Sequence, residues 1–271
     1  QKFGIKSVVT IHDLIFKSLP ETYPFFDRKM YDLKFRRSCQ IADKIIAISA
    51  YTKQDIIQVY QIDPAKIEVV YQACDPLFYE QDLPDQSLDF PLPSEFLLYV
   101  GSVIPRKNLK GVLEAYAIIP PSDRIPLVVV GGGSETYQQE LQAIIQKHAL
   151  QPFMIWKQNL ADNRTLRSLY QKASALIYPS FYEGFGLPVT EALLSRTPAI
   201  TSSVSSLPEA GGPDAGYVDP NDPEHIAHAI QEVLSDETLR QTMIEKGFAY
   251  ARSTFDPQRL SQQMMEIYRS L

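Results

Sequence analysis

Pro179-Ser180-Phe181-Tyr182-Glu183-Gly184-Phe185-Gly186-Leu187-Pro188-Val189-Thr190-Glu191-Ala192 follows the apolar run Ala175-Leu176-Ile177-Tyr178. A short apolar run, then glycines, then a helix-compatible stretch reads as strand, turn and helix. Pro188 falls where a proline suits the first helical turn. The same alternation extends in both directions. Upstream, strands are expected at 7–11, 44–48 and 67–71, with helices at about 24–41 and 50–60. Residues 80–95 carry Pro84, Pro91 and Pro93 with Asp82, Asp85 and Asp89, which is linker composition. Beyond them, strands are expected at 96–100, 126–130, 153–156, 175–178 and 198–201. Helices fall near 108–118, 135–149, 163–173 and 187–195, and three more near 223–235, 237–252 and 257–270 close the chain.

Alternating strands and helices of this kind build parallel sheets covered by helices, so the fold class is α/β with Rossmann-like domains. The boundaries expected are 1–85 for a first domain, 86–256 for a second, and 257–271 for a terminal helix. Three strands are fewer than a doubly wound domain usually has, so the first region reads as the second half of one. The chain starts at Gln1 rather than Met, and the expectation is that its N-terminal domain is truncated.

Composition narrows the function. Of 271 residues, 45% are hydrophobic and 21% charged, enough to bury a sizeable core and too apolar for a disordered chain. Lys and Arg total 26 against 32 Asp and Glu, and a net charge of −6 argues against a chain built to grip nucleic acid. Cys39 and Cys74 are too few for a disulfide scaffold and have no metal-ligand spacing, which fits a reduced, cytoplasmic setting. No apolar run reaches the roughly 18–20 residues that cross a bilayer, and no signal peptide is visible.

Three strand ends of the second domain carry candidate chemistry. In the opening stretch, Gly184 and Gly186 let the backbone come close to a ligand. The free N–H groups and dipole of the helix that follows suit a phosphate. Glu183 and Glu191 cannot assist an anion by charge, so they would accept hydrogen bonds from hydroxyls, which a sugar or a ribose offers. A glycine turn with one capping acid and one solvated acid is the plainer alternative. The second stretch is Val100-Gly101-Ser102-Val103-Ile104-Pro105-Arg106-Lys107-Asn108. Adjacent Arg106 and Lys107 at a strand-to-helix mouth could clamp a diphosphate, or form an exposed basic turn. The third, Gly131-Gly132-Gly133-Ser134, is as compatible with a plain loop as with close approach to a ligand or helix. In open α/β sheets, ligands bind outside the carboxyl ends of the strands, and all three stretches lie there.

Glu183-x7-Glu191, with the wording EGFGLPVTEAL, resembles the signature of retaining glycosyltransferases of family 4, which have the GT-B fold. The PRKN segment after a Val-Gly strand is similar to a common subgroup of that family. So are Thr10-Ile11-His12-Asp13-Leu14, the 42–49 stretch and Ser206-Leu207-Pro208-Glu209. The resemblance spans about residues 7–260. It implies that Glu183 contacts donor sugar hydroxyls and that Glu191 holds the nucleotide ribose. Backbone at Gly184, Phe185, Gly186 and Leu187 would face sugar and phosphates, with Gly101 lining the same donor site. Arg106 and Lys107 would neutralise the diphosphate, and His12 matches the active-site histidine of the N-terminal domain. The terminal helix would cross back to that domain. Ser102 departs from the family, many of whose members have Arg there; either Arg106 replaces that cation or the diphosphate is held less well.

The function implied is retaining transfer of a hexosyl unit from a nucleoside diphosphate sugar, GDP-mannose or a UDP-sugar, to a glycan or lipid-linked saccharide. No Asp-x-Asp pair is present, so neither a metal nor another cofactor is expected. Arg28, Lys29, Lys34, Arg36 and Arg37 cluster on the 24–41 helix among Phe25, Phe26, Met30 and Leu33. That pattern suits peripheral contact with the inner membrane face, or an ordinary solvated helix. Rival readings are a GT-B epimerase or phosphorylase, a catalytically impaired fragment, and a nucleotide-sugar-binding or partner protein. The last two would expose a cut sheet edge and favour self-association.

Overall fold

The computed structural model describes residues 4–80, 90–160 and 162–271. The chain forms two compact units. One is built from Gln1–Ala73, Tyr182–Gly186 and Phe255–Leu271, the other from Cys74–Phe181 and Leu187–Thr254. The division falls at Ala73–Cys74, upstream of the 85/86 boundary read from the linker. Pro84, Asp82, Asp85, Asp89 and that boundary lie outside the described residues. The last helix belongs with the first unit.

The first unit holds strands β1 (Val8–Ile11), β2 (Lys44–Ala47) and β3 (Ile67–Val69), parallel and in that order, with helices α1 (Ile15–Ser18), α2 (Phe25–Ile41) and α3 (Ala50–Tyr60). Ile11, Ile45, Ala47 and Ile67 from the strands pack with Leu14, Phe16, Cys39 and Ile56 into its core. Ser49 starts α3 by accepting the Thr52 N–H, which satisfies one orphan donor of the first turn.

The second unit holds β4 (Leu97–Val100), α4 (Leu109–Ile118), β5 (Leu127–Val130), α5 (Glu135–Lys147), β6 (Met154–Lys157), α6 (Asn163–Lys172), β7 (Ala175–Tyr178), α7 (Leu187–Leu194), β8 (Ala199–Ser202), α8 (Leu207–Gly211), β9 (Gly216–Val218), α9 (Pro223–Ser235) and α10 (Glu237–Thr254). Helix α11 (Pro257–Arg269) returns to the first unit. The six strands are parallel in the order β6-β5-β4-β7-β8-β9. Every residue of β4, β5, β7 and β8 is buried, and β4, β5 and β7 accordingly read as nearly unbroken apolar runs. Strand β9 escapes the sequence pattern. Its Gly216-Tyr217-Val218 is too short to show a period and is recruited by pairing with β8.

The strand order reverses between β4 and β7, the position at which doubly wound sheets open a crevice. The register shows it opening. β4 pairs with β5 along all four residues, but with β7 only at Leu97–Ala175 and Leu98–Leu176.

On the other side of β4, the loops after β4 and β5 run backbone to backbone. Val103 N–H donates to the Gly132 carbonyl at 2.8 Å, and a Cβ on Gly131 would stand 2.0 Å from the Gly101 carbonyl oxygen. Gly131 and Gly133 therefore serve close approach of a neighbouring loop, while a Cβ on Gly132 would meet nothing. Gly131 also has a φ of +140°. Gly131→Ala should therefore lower stability by at least about 2 kcal/mol, read as an earlier urea midpoint.

Candidate active site

Residues 106–108 span the mouth where β4 and β7 part. The Arg106 carbonyl accepts the Phe181 N–H at 2.9 Å. The Lys107 ammonium donates to the Tyr178 hydroxyl and lies 4.9 Å from the centre of that ring. Asn108 Nδ2 donates to the carbonyls of Pro179 at 3.2 Å and Pro220 at 2.7 Å, while its Oδ1 caps α4 through Gly111 N–H at 3.1 Å. Asn108 is buried with φ of +57°, a conformation asparagine tolerates better than most residues. Sequence reading passed over it because nothing local reveals partners so far along the chain. From β8, the Thr201 hydroxyl adds a 2.8 Å bond to the Tyr178 carbonyl. The two cations are thus half-buried on a fixed loop. They are not an exposed basic turn. Gly101 lies beneath the Lys107 side chain, its position for a Cβ 3.3 Å from Lys107 Cδ.

Helix α7 starts at Leu187 and carries Glu191 on its second turn. The Glu191 carboxylate accepts the Tyr170 hydroxyl at 3.0 Å. Burial pushes its pKa up to about 7. The Tyr170 bond opposes that shift and nearby Asp75 adds to it. Tyr170 is itself fully buried, edge-on to Phe78 at 6.0 Å. Tyr170 and the 74–79 segment are parts of this wall that the sequence did not flag, since a tyrosine inside an amphipathic helix reads as core.

The first unit carries the other candidates. His12 follows β1, exposed, with Nδ1 3.3 Å from Gln72 Nε2. With Gln72 donating, the ring keeps its proton on Nε2. Asp13 accepts the Ile15 N–H and starts α1. Residues 182–186 join this unit through specific contacts. The Tyr182 hydroxyl donates to Asp55, and its ring meets Tyr51 edge-on at 5.7 Å. Phe185 packs between Tyr71 and Phe255 at 5.8 and 5.2 Å. A Cβ on Gly184 would stand 2.3 Å from the His12 carbonyl oxygen. Glycine is required at 184 by this backbone contact. Glu183, 7% exposed, sits between the two anchored neighbours, and Gly186 follows. Neither glutamate is the solvated surface acid of the plainer alternative.

The first unit therefore brings together His12, Glu183, Gly184, Phe185 and Gly186, and the second gathers Gly101, Arg106, Lys107, Leu187 and Glu191. Among the described residues, no cluster of three or more His, Cys, Asp or Glu side chains could hold a metal ion.

Two family descriptions match the chain: glycosyl transferases group 1 over residues 80–250 and Glycosyltransferase Family 4 over residues 1–76. The O-antigen chain mannosyltransferase B of Escherichia coli is 29% identical over 272 residues, covering 98% of this chain and 71% of its own length. The serotype-specific mannosyltransferase WbdA of Escherichia coli is 27% identical over 258 residues. That match covers 92% of this chain but only 31% of WbdA, so the chain spans about a third of that relative. Among solved structures, Anabaena HepE in complex with UDP and glucose superposes with a TM-score of 0.80 at 21% identity, covering 97% of this chain and 71% of that one. That likeness is one of fold, and the fold is GT-B.

Because the Glu191 carboxyl binds its proton more tightly folded than unfolded, its ionisation costs stability as pH rises from the ordinary glutamate range through about 7. Glu191→Gln escapes that cost while keeping an acceptor for Tyr170. Its melting temperature should exceed the wild type by roughly 3–6 °C at pH 8, with the gap closing toward pH 5.

Proposed function

Since the chain belongs to the group 1 glycosyl transferases, we propose that it moves a hexosyl unit from a nucleoside diphosphate sugar to a saccharide acceptor with retained anomeric configuration. The observation that carries this reading is the bridge of Arg106, Lys107 and Asn108 across the β4/β7 mouth. It presents two cations at the carboxyl ends of β4 and β7, where a diphosphate would lie.

In the reaction, the bond from the anomeric carbon to the diphosphate oxygen breaks and a bond to the acceptor oxygen forms on the same face. The acceptor proton passes to the departing phosphate oxygen. The barrier lies in the charge that develops on the diphosphate. Arg106, Lys107 and the α7 N-terminus stabilise it as a preorganised field that needs no metal. Glu183 accepts hydrogen bonds from the sugar hydroxyls, and His12 offers its Nε2–H on the sugar side. Glu191 accepts the ribose hydroxyls. Hydroxyl donors favour its ionised form, so nucleotide binding should release a proton and tighten as pH rises through about 7. The two Escherichia coli relatives are named as mannosyltransferases, which favours GDP-mannose over a UDP-sugar as donor. A glycan or lipid-linked saccharide is the acceptor class.

Titration calorimetry with GDP, UDP and ADP, with and without Mg²⁺, tests the donor site. One nucleotide should bind without metal, and Glu191→Ala should weaken it about tenfold, the loss of one charge-assisted hydrogen bond. Lys107→Ala should lower kcat about 100-fold. No binding of any nucleotide would overturn the reading.

The reading extends to a peripheral site on the cytoplasmic face of an anionic membrane. Among the described residues, no helix is long and apolar enough to cross a bilayer. Helix α2, however, packs inward through Arg28, Asp32, Phe35 and Cys39, leaving Phe26, Met30 and Leu33 outward at 81, 51 and 68% exposure. Lys29, Lys34, Arg36 and Arg37 flank that apolar stripe on a chain whose net charge is −6. Apolar residues dipping between headgroups, with cations snorkelling around them, fit an anionic lipid surface. The protein should sediment with phosphatidylglycerol vesicles but not with phosphatidylcholine vesicles, and Phe26→Ser with Leu33→Ser should abolish it. A salt-resistant dimer lost in the same variant would assign the stripe to a second copy instead.

A further inference from the structure

We propose that Thr52 is a positioning residue that holds His12 and Glu183 in register, an inference that rests on the transfer reading above. Thr52 lies on the first turn of α3, fully buried, within the first unit. Its hydroxyl accepts the Ser49 hydroxyl at 2.9 Å. Its one proton is directed between two carbonyls, those of His12 and Gly184, each 3.3 Å away. One side chain thus ties the backbone of the β1 exit to the backbone of the glycine-rich segment. The first is the peptide of His12 itself, and the second is that of the residue that follows Glu183.

The rest of the α3 start supports the same segment. Asp55, one turn on, accepts the Tyr182 hydroxyl. Ser49 both caps the helix at Thr52 N–H, 3.0 Å, and aims the Thr52 hydroxyl by donating to it. Contact between the Gly184 and His12 peptides alone would resist compression but not sliding or separation. A shared donor between the two carbonyls does resist separation, because losing either acceptor of a fully buried hydroxyl costs a hydrogen bond. A threonine with no chemistry of its own becomes necessary for the geometry of two residues that have it.

Thr52→Val keeps the volume and removes the hydroxyl, and Thr52→Ser keeps the hydroxyl. In Thr52→Val, kcat should fall about 100-fold, the cost of a small misplacement at a reacting centre. Its nucleotide Kd should stay within twofold, because Arg106, Lys107 and Glu191 belong to the other unit. Thr52→Ser should restore most of kcat. A Thr52→Val protein with a lowered melting temperature and unchanged kcat would overturn the proposal, leaving Thr52 a fold residue only. If Thr52→Val does not fold, Tyr182→Phe decides: it frees the segment at its other anchor while leaving the α3 cap intact, and it too should lower kcat at constant Kd. If the wild type transfers no sugar, the transfer reading fails but the clamp is still measurable. Hydrogen exchange of the 182–187 peptide should then quicken about tenfold in Thr52→Val, and unchanged exchange would overturn the clamp.

Discussion

The separation of β4 from β7 beyond their first two paired residues is the constraint on which the candidate site of the second unit depends. A parallel sheet that continued its ladder would leave no room at that edge for a ligand. Because it stops, backbone groups at the ends of both strands need other partners. Residues 106–108 supply them for Phe181 N–H and the Pro179 carbonyl, and Lys107 adds a side-chain bond to the Tyr178 hydroxyl. The groups that hold the mouth open in one fixed shape are the neighbours of the groups that would meet a diphosphate. In the transfer proposed above, that fixed order lets the cations act without reorganisation when charge develops.

The two glutamates of the opening stretch are eight residues apart but belong to different physical settings. Glu191 rides a helix of the second unit, where burial and Tyr170 govern its protonation. Glu183 lies in a five-residue excursion into the first unit, fastened by Tyr182, Gly184 and Phe185 to α3, the β1 exit and an aromatic trio. A carboxyl held near neutrality and a carboxyl held by its backbone are suited to different partners. The first responds to pH and to hydroxyl donors, and the second to position.

Most of the secondary structure was legible because apolar periodicity and turn residues are local. The runs around residues 8–11, 44–47, 97–100, 127–130 and 175–178 lie where expected, and so do the long helices. What escaped was whatever a distant segment imposes. β9 exists because β8 offers it an edge, and Gly131 and Gly133 are explained by the loop after β4. Asn108, Gln72, Tyr170 and Thr52 are polar residues whose partners lie on other elements. No local signal could have marked them.

Read from residues alone, the chain was already α/β with parallel sheets, with candidate cations and glutamates at strand carboxyl ends marked by type and neighbourhood, while His12 stood out only through the family resemblance. Spacing and composition are properties of neighbours in the chain, and those features depend on neighbours. Folding settled which unit owns residues 182–186, why Gly184 must lack a side chain, and why Glu191 holds its proton near neutrality. Backbone contact and desolvation depend on what surrounds an atom in space, and the surroundings of these atoms come from segments far away in sequence.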